Sequence, residues 1–375
     1  MKLTLQEHIQ KSREAVAANK AKGNRHAEFL SHMYARPSRF IEEIIQNTED
    51  AYARKKTNEP EKIIRFKLFD DRIEIHHNGK DFDEADLMSL TTFANTTKKG
   101  EEDINLIGKF GIGFKSVFSI TDIPEIHSSG FHYAILDYEI LEIIKAKTAD
   151  DGFNTLIILP FKKKKSLECY QTVKQGLEEL NSYYLLFLKQ ISCMEISISA
   201  APYRILKRDS VDKKKYFIIS IETTTLGSNS ETNTEKFLLF SSRLHKNEIV
   251  EIAYKINENG NTFKIVPVKE SPVFVYFPTR MKSGLSFFIN GSFTTNPLRE
   301  YILFDKIRTP ENIKLLNKAN HLFIKSLDSI RQLGFYTVDF LSLMPLNISE
   351  DEISADSEQF FYLSFSDALL HYLMS

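Results

Sequence analysis

Three polar residues in the first fifty positions have the types and spacing for metal-assisted phosphate chemistry. Glu43, Asn47 and Asp50 are separated by four and then three residues, which places them on one face of a helix. A carboxylate one turn from a carboxamide can orient and deprotonate a water while the amide oxygen helps hold Mg²⁺. Phe40, Ile44 and Ala51 fall where they can pack behind that face. Alone, the pattern is also that of an amphipathic helix with a solvated polar face. A second group, Gly108, Gly111 and Gly113 followed by Phe114, Lys115 and Ser116, sets three glycines ahead of a helical start near Phe114. Glycines let a backbone approach phosphates, N–H groups at a helix start favour an anion, and Lys115 can add a point charge. The GxxGxG spacing is neither the dinucleotide fingerprint nor a P-loop. On its own it is equally a structural hinge.

Several elements must position these groups. Residues 5 to 30 read as polar and helical, and Ser38 is placed to cap a second helix that carries Glu43, Asn47 and Asp50. Residues 62 to 76 alternate around Asp70 and Asp71 as a β-hairpin, followed by the turn His77-Asn78-Gly79. Residues 92 to 113 lack lasting periodicity and have the length of a functional lid. HYAILDY and NTLIILPF read as strands, and a long helix is expected from about Leu167 to Lys189. The Thr/Ser/Asn-rich run over 223 to 235 has the composition of a mobile loop. Strands SPVFVYFP and GLSFFING then precede a helix from about Pro310 to Gly334, and an acidic stretch leads into a final apolar segment. This divides the chain into 1–165, 166–345 and 346–375: a first α/β domain, a second α/β domain, and an acidic linker with an apolar C-terminal helix.

Composition narrows the partners. With 42% apolar and 26% charged residues, the chain has the balance of a soluble globular protein. The net charge of −1 gives no global reason to expect nucleic acid or an anionic membrane. Cys169 and Cys193 form no metal-type or disulfide-framework pattern, and no run approaches a membrane span or a secretion signal, so a cytoplasmic protein is expected.

Taken together, the two motifs resemble the GHKL superfamily of gyrase B, the ninety-kilodalton heat-shock chaperones, histidine kinases and MutL. The resemblance is nearest to sacsin-like modules, on Gln46-Asn47, on Asn78-Gly79 with Phe82, and on the run from Gly111 to Phe118. It implies an α/β chain whose first domain is a Bergerat fold, a two-layer α+β sandwich binding ATP and Mg²⁺. By the same resemblance Glu43 is the general base, Asn47 the Mg²⁺ ligand and Asp50 a lining residue. Gly108, Gly111 and Gly113 are the lid hinge, Thr97 and Lys98 a lid element, and Thr155 an adenine contact. Arg299, in Leu298-Arg299-Glu300, is similar to a catalytic-loop arginine, though equally a surface arginine paired with Glu300 or Asp305. One departure stands out. The family's adenine-binding Asp is replaced by His77, which offers one donor and one acceptor when neutral. The resemblance further implies a homodimer through the N-terminal region and a protein client or further subunit. Two other readings stay open: a non-hydrolysing nucleotide switch or scaffold, and a nucleic-acid clamp.

Overall fold

The computed structural model describes residues 4–21, 39–55, 61–91, 113–199, 201–227, 229–243, 248–259, 262–296, 299–305, 309–346 and 359–374. Ser38, Thr97, Lys98, Gly108, Gly111 and most of the expected lid lie outside them. The chain is a mixed α/β protein of two compact units. The first comprises residues 1–181, 188–207 and 223–232; the second comprises 182–187, 208–222 and 233–375.

The first unit opens with helix α1 (Leu5–Ala21) and helix α2 (Phe40–Arg54). Strands β1 (Ile63–Leu68) and β2 (Arg72–His77) form the hairpin that their alternation predicts, with Phe66 opposite Ile75. Helix α3 (Glu84–Thr91) begins with a reciprocal cap: Asp86 N–H donates to Asp83 Oδ1 at 2.9 Å, and Asp83 N–H donates to Asp86 Oδ2 at 3.3 Å. Strands β3 (Glu125–Ser128), β4 (Phe131–Leu136), β5 (Ile140–Ile143), β6 (Thr155–Pro160) and β7 (Cys193–Ile198) complete the sheet. Its order is β7-β1-β2-β6-β3-β4-β5, with β7 parallel to β1 and the other pairs antiparallel. Rows of Ile196, Phe66, Ile75, Ile157 and Ile126 cross it on one face and are buried.

The helix expected after the glycines is present as a 3₁₀ helix over Gly113–Ser119. Ser116 and Ser119 hydroxyls donate to the carbonyls of Gly113 and Ser116 at 2.6 and 2.8 Å, a local bonding pattern that competes with the α ladder. The long helix expected to Lys189 is instead α4 (Ser166–Glu179), a break, and the one-turn α5 (Tyr183–Leu186). Leu180 is extended, and the N–H groups of Lys189, Gln190 and Ile191 all donate to the Glu49 carboxylate, so they cannot serve a helix.

Strands β8 (Tyr203–Asp212), β9 (Phe217–Leu226) and β10 (Glu231–Arg243) each contribute residues to both units. Most of the Thr/Ser/Asn-rich run is therefore strand and not loop. Thr is β-branched, and its side chain suits a pleated surface better than polarity alone suggests.

In the second unit, β11 (Ile249–Asn259) pairs with β10, β12 (Thr262–Ile265) and β15 (Phe288–Gly291). Strand β13 (Pro272–Val275) runs parallel to β15 and antiparallel to β14 (Phe277–Lys282). Helices α6 (Pro310–Gln332), α7 (Val338–Leu341) and α8 (Gln359–Met374) complete it. Phe361, Phe365 and Leu369 of α8 are buried with Phe287, Phe323 and Ile289, so the final apolar segment belongs to this core. Among the described residues no helix is long and apolar enough to cross a membrane.

Candidate functional site

Helix α2 carries the site because it is nearly all buried. Phe40, Ile41, Ile44, Ile45, Ala51 and Tyr52 bury the apolar side, while Glu43, Gln46, Thr48, Glu49 and Asp50 are buried polar residues. That is unusual, since buried charges generally need partners. For Glu49 the partners are explicit: Oε1 accepts from the N–H of Lys189 at 2.6 Å and of Gln190 at 2.8 Å, and Oε2 from that of Ile191 at 2.8 Å. Burial raises its carboxyl group above the ordinary value, against the lowering effect of those three bonds. Glu49 thus anchors the approach to β7.

Glu43 is in a different setting. A Cβ placed on Gly113 would lie 2.0 Å from Glu43 Oε2 and 2.7 Å from its Cδ, so the bare backbone of the glycine segment rests against the carboxylate. Asn47 sits half-buried one turn further along, with no partner for its carboxamide among the described residues. Asp50 is buried on the same helix face.

Phe114, Lys115 and Ser116 are buried next to this contact. Lys115 is turned inward: Nζ donates to Tyr138 O at 2.6 Å and to Thr91 O at 3.3 Å, and burial pushes its pKa down to about 8. Thr91 is the last described residue before the expected lid and Gly113 is its final residue, so Lys115, two positions on, is tied to the residue at which that segment starts. His8 Nε2 of α1 meets Thr91 Oγ1 at 2.8 Å, which brings the N-terminal helix to the same point.

The turn after β2 is held from both sides. Tyr52 donates its hydroxyl hydrogen to Ile63 O at 2.6 Å and its oxygen also lies against Asn78 Oδ1, while Lys55 Nζ donates to Asn78 O at 2.5 Å. Lys80 N–H donates to Ala51 O at 3.0 Å, and a Cβ on Gly79 would fall 2.8 Å from Ala51 Cβ. Gly79 is therefore required by the close approach of α2. Asn154 donates Nδ2 to Gly79 O at 3.0 Å and pins the turn to the start of β6.

His77 and Thr155 face each other across β2 and β6, and Thr155 faces Ser128 across β6 and β3. All three are buried. Ser128 Oγ and Thr155 Oγ1 are 2.8 Å apart. His77 Nδ1 accepts from Gly79 N–H at 3.2 Å, and burial pushes its pKa down to about 3, so the ring is neutral. Ser128 was not singled out from the sequence. The only signal was its place at the end of a strand, which acquires meaning once the register sets it beside Thr155.

Arg299 lies in the second unit, in a turn where its φ is 51° and its N–H donates to Asn296 O at 2.8 Å. Its neighbour Glu300 pairs with Arg280 at 3.1 Å.

A helix face bearing Glu43 and Asn47, a glycine-led segment against it and a buried polar turn beside it are the parts expected of a heat-shock-chaperone-type GHKL module. The Sacsin domain family model matches residues 25–262, more than half of the chain, and the chain belongs to that family. It is 30% identical to Protein NO VEIN of Arabidopsis thaliana over 358 residues, covering 84% of this chain and 12% of that protein. It is 28% identical to the chaperone protein HtpG of Borreliella burgdorferi over 316 residues, covering 74% of this chain and 49% of that one. Against human sacsin the identity is 34% over 109 residues, 26% of this chain and 2% of sacsin. The chain thus spans less than half the length of each of these relatives.

The contact at residue 113 has a direct consequence. Gly113→Ala forces the Glu43 carboxylate aside. Thermal unfolding checks what this costs the fold: the melting temperature stays near that of the wild type, because only the far end of the Glu43 side chain has to move.

Proposed function

We propose that the first unit binds a Mg²⁺-complexed nucleoside triphosphate, ATP on the family resemblance, and hydrolyses it to the diphosphate and phosphate. The observation that carries this reading is the Gly113 backbone resting on the Glu43 carboxylate. It brings a segment able to approach phosphates without side chains to the Glu43 carboxylate, on the helix face that also carries Asn47 and Asp50. Glu43 takes a proton from the attacking water as the water oxygen bonds to the γ-phosphorus and the bond to the bridging oxygen breaks. Asn47 fits a Mg²⁺ ion, because its carboxamide oxygen is a hard donor on the same face as Glu43 and Asp50. Such ions take few protein ligands and complete their shell with phosphate and water. When bound, the ion neutralises charge on the phosphate oxygens.

Asp50, His77, Asn78, Gly79 and Thr155 form the wall toward the base, and Phe114 and Ser116 fix the geometry behind Gly113. Lys115 acts as a tether for the lid ends, so that closure of the segment through Gly108, Gly111 and Gly113 starts from a fixed base. The meeting of α1 with Thr91 supports coupling of that closure to the N-terminal region, and through it to a homodimer or a client protein. Cytoplasmic action accords with this chemistry, since nucleoside triphosphates and Mg²⁺ are abundant there.

Asn47→Ala tests the ion-binding part. It is expected to raise the Mg²⁺ concentration for half-maximal phosphate release by about tenfold or more, the usual scale for losing a supporting group at a metal. An unchanged Mg²⁺ dependence removes Asn47 from the site. Binding without release in the wild type supports a nucleotide switch instead of an enzyme.

A further inference from the structure

The tripeptide Glu-Ile-His occurs twice in the first unit, as Glu74-Ile75-His76 on β2 and as Glu125-Ile126-His127 on β3. Both strands pair antiparallel with β6, one on each side, and the register sets both histidines opposite Leu156 and both glutamates opposite Ile158. The two isoleucines enter the buried row that contains Ile157, so the acids and the histidines stand on the opposite face of the sheet. Residues 144–153, which have neither helix nor strand, run over that face between β5 and β6.

The backbone of this strap binds the two buried histidines in turn. Lys147 N–H donates to His127 Nδ1 at 3.4 Å, and Asp150 N–H donates to His76 Nδ1 at 3.2 Å. A backbone N–H can only donate, so both Nδ1 atoms carry lone pairs and each neutral ring holds its proton on Nε2. Each Nε2–H faces the glutamate of its own tripeptide: Glu125 Oε2 lies 3.4 Å from His127, and Glu74 Oε2 lies 3.7 Å from His76. His132 of β4 has its Nδ1 3.2 Å from His127 Nδ1 and is therefore the donor in that pair. Charged side chains hold the same contacts. Lys147 Nζ is 2.5 Å from Glu125 Oε2, Asp150 Oδ2 is 2.8 Å from Arg65 and 2.6 Å from Lys67 of β1, and Glu74 pairs with Arg72 at 2.8 Å. The Phe153 ring lies under the Arg65 guanidinium at 4.6 Å and edge-on to His76 at 5.9 Å. Protonating either Nδ1 replaces its lone pair with a hydrogen, and the strap N–H then meets a donor.

We propose that residues 144–153 form an acid-released strap, which protonation of His76 and His127 unlatches, and that its release loosens the turn over residues 77–79. The strap leads into Asn154, whose Nδ2 pins Gly79 O, and the two latching histidines immediately precede His77 and Ser128 on the other face of the sheet. Coupling to nucleotide rests on the reading of that turn as the wall toward the base. Burial holds His127 below the ordinary histidine value, against the raising effect of Glu125. A lowered value means that the open strap takes up the proton more readily than the latched one. The latch is therefore at full strength above about pH 6.5, the ordinary histidine value, and is lost as the pH falls through the lowered one.

The test is amide hydrogen exchange of the full chain at about pH 7.5 and about pH 5, expressed as protection relative to the unfolded rate at each pH. Protection of the Lys147 and Asp150 amides is expected to fall about tenfold at the lower pH, the scale of one hydrogen bond, while the β1–β2 ladder keeps its own. Unchanged protection at both amides overturns the strap, and so does a loss that the ladder shares. The double variant His76→Asn with His127→Asn keeps an acceptor oxygen near the place of each Nδ1 and has no proton to gain. Its strap protection is expected to be the same at both pH values, and a fall equal to that of the wild type overturns the assignment to these histidines. The wild-type result decides the strap whether or not the variant folds. Calorimetric titration with Mg²⁺-ATP at the same two pH values reads the coupling: wild-type affinity is expected to fall about tenfold more than that of the double variant, and equal falls overturn the coupling. Failure of ATP to bind at either pH removes the nucleotide reading and the coupling with it, and amide exchange still decides the strap.

Discussion

Glu43→Ala is expected to bind nucleotide and to lose about a thousandfold in phosphate release, the middle of the range for removing a positioned general base. The physical reason is the division of labour along α2. Its two neighbouring buried glutamates, Glu43 and Glu49, point to different tasks: Glu49 accepts three backbone N–H bonds, while Glu43 meets the backbone of Gly113. On the proposed reading the base is held by His77, Asn78, Gly79 and Thr155 and not by Glu43, so affinity should stay within a few-fold of the wild type. Calorimetry and single-turnover phosphate release on the same preparation separate the two quantities. Loss of binding together with turnover would assign Glu43 to the structure of the pocket and not to the chemical step.

Glu49→Ala is expected to have the largest effect on stability, about 3 kcal/mol, because it leaves three backbone donors, the one at Ile191 buried, without their acceptor and opens a void in α2. Lys189, Gln190 and Ile191 immediately precede β7, whose parallel pairing with β1 brings Ile196 against Phe66. The N–H groups set free at this turn cannot form helix bonds, since α4 has already ended at Glu179. Urea unfolding reads the loss directly. Glu49→Gln keeps an acceptor oxygen and the side-chain volume and should recover part of it; a variant as stable as the wild type would show that the turn holds itself.

These two glutamates also show how far the sequence can be read. Glu43, Asn47 and Asp50 declare themselves through helical spacing, because a helix places residues four and three apart on one face whatever surrounds it. The β1–β2 hairpin and the apolar helix at the C-terminal end are legible for the same reason, being set by local period. Glu49 is not, since its three partners lie 140 or more positions away, and no local pattern distinguishes it from a solvated acid. Ser128 acquires its place from the register of β3 on β6, which is decided by the pairing of the sheet. Lys115, read as a phosphate-facing cation, is drawn inward by the carbonyls of Thr91 and Tyr138. The Thr-rich strands β9 and β10 were hidden by a composition shared between loops and β-structure. Family resemblance supplied the order of motifs, while the hydrogen-bond polarity of His77 emerged only from the turn that follows it.

The most direct measurement of the central claim is Mg²⁺-dependent phosphate release by the wild-type chain, with ATP at saturation and its binding measured in parallel. The account predicts that nucleotide binds and that phosphate is released only when Mg²⁺ is present. Binding with no release of phosphate would contradict it.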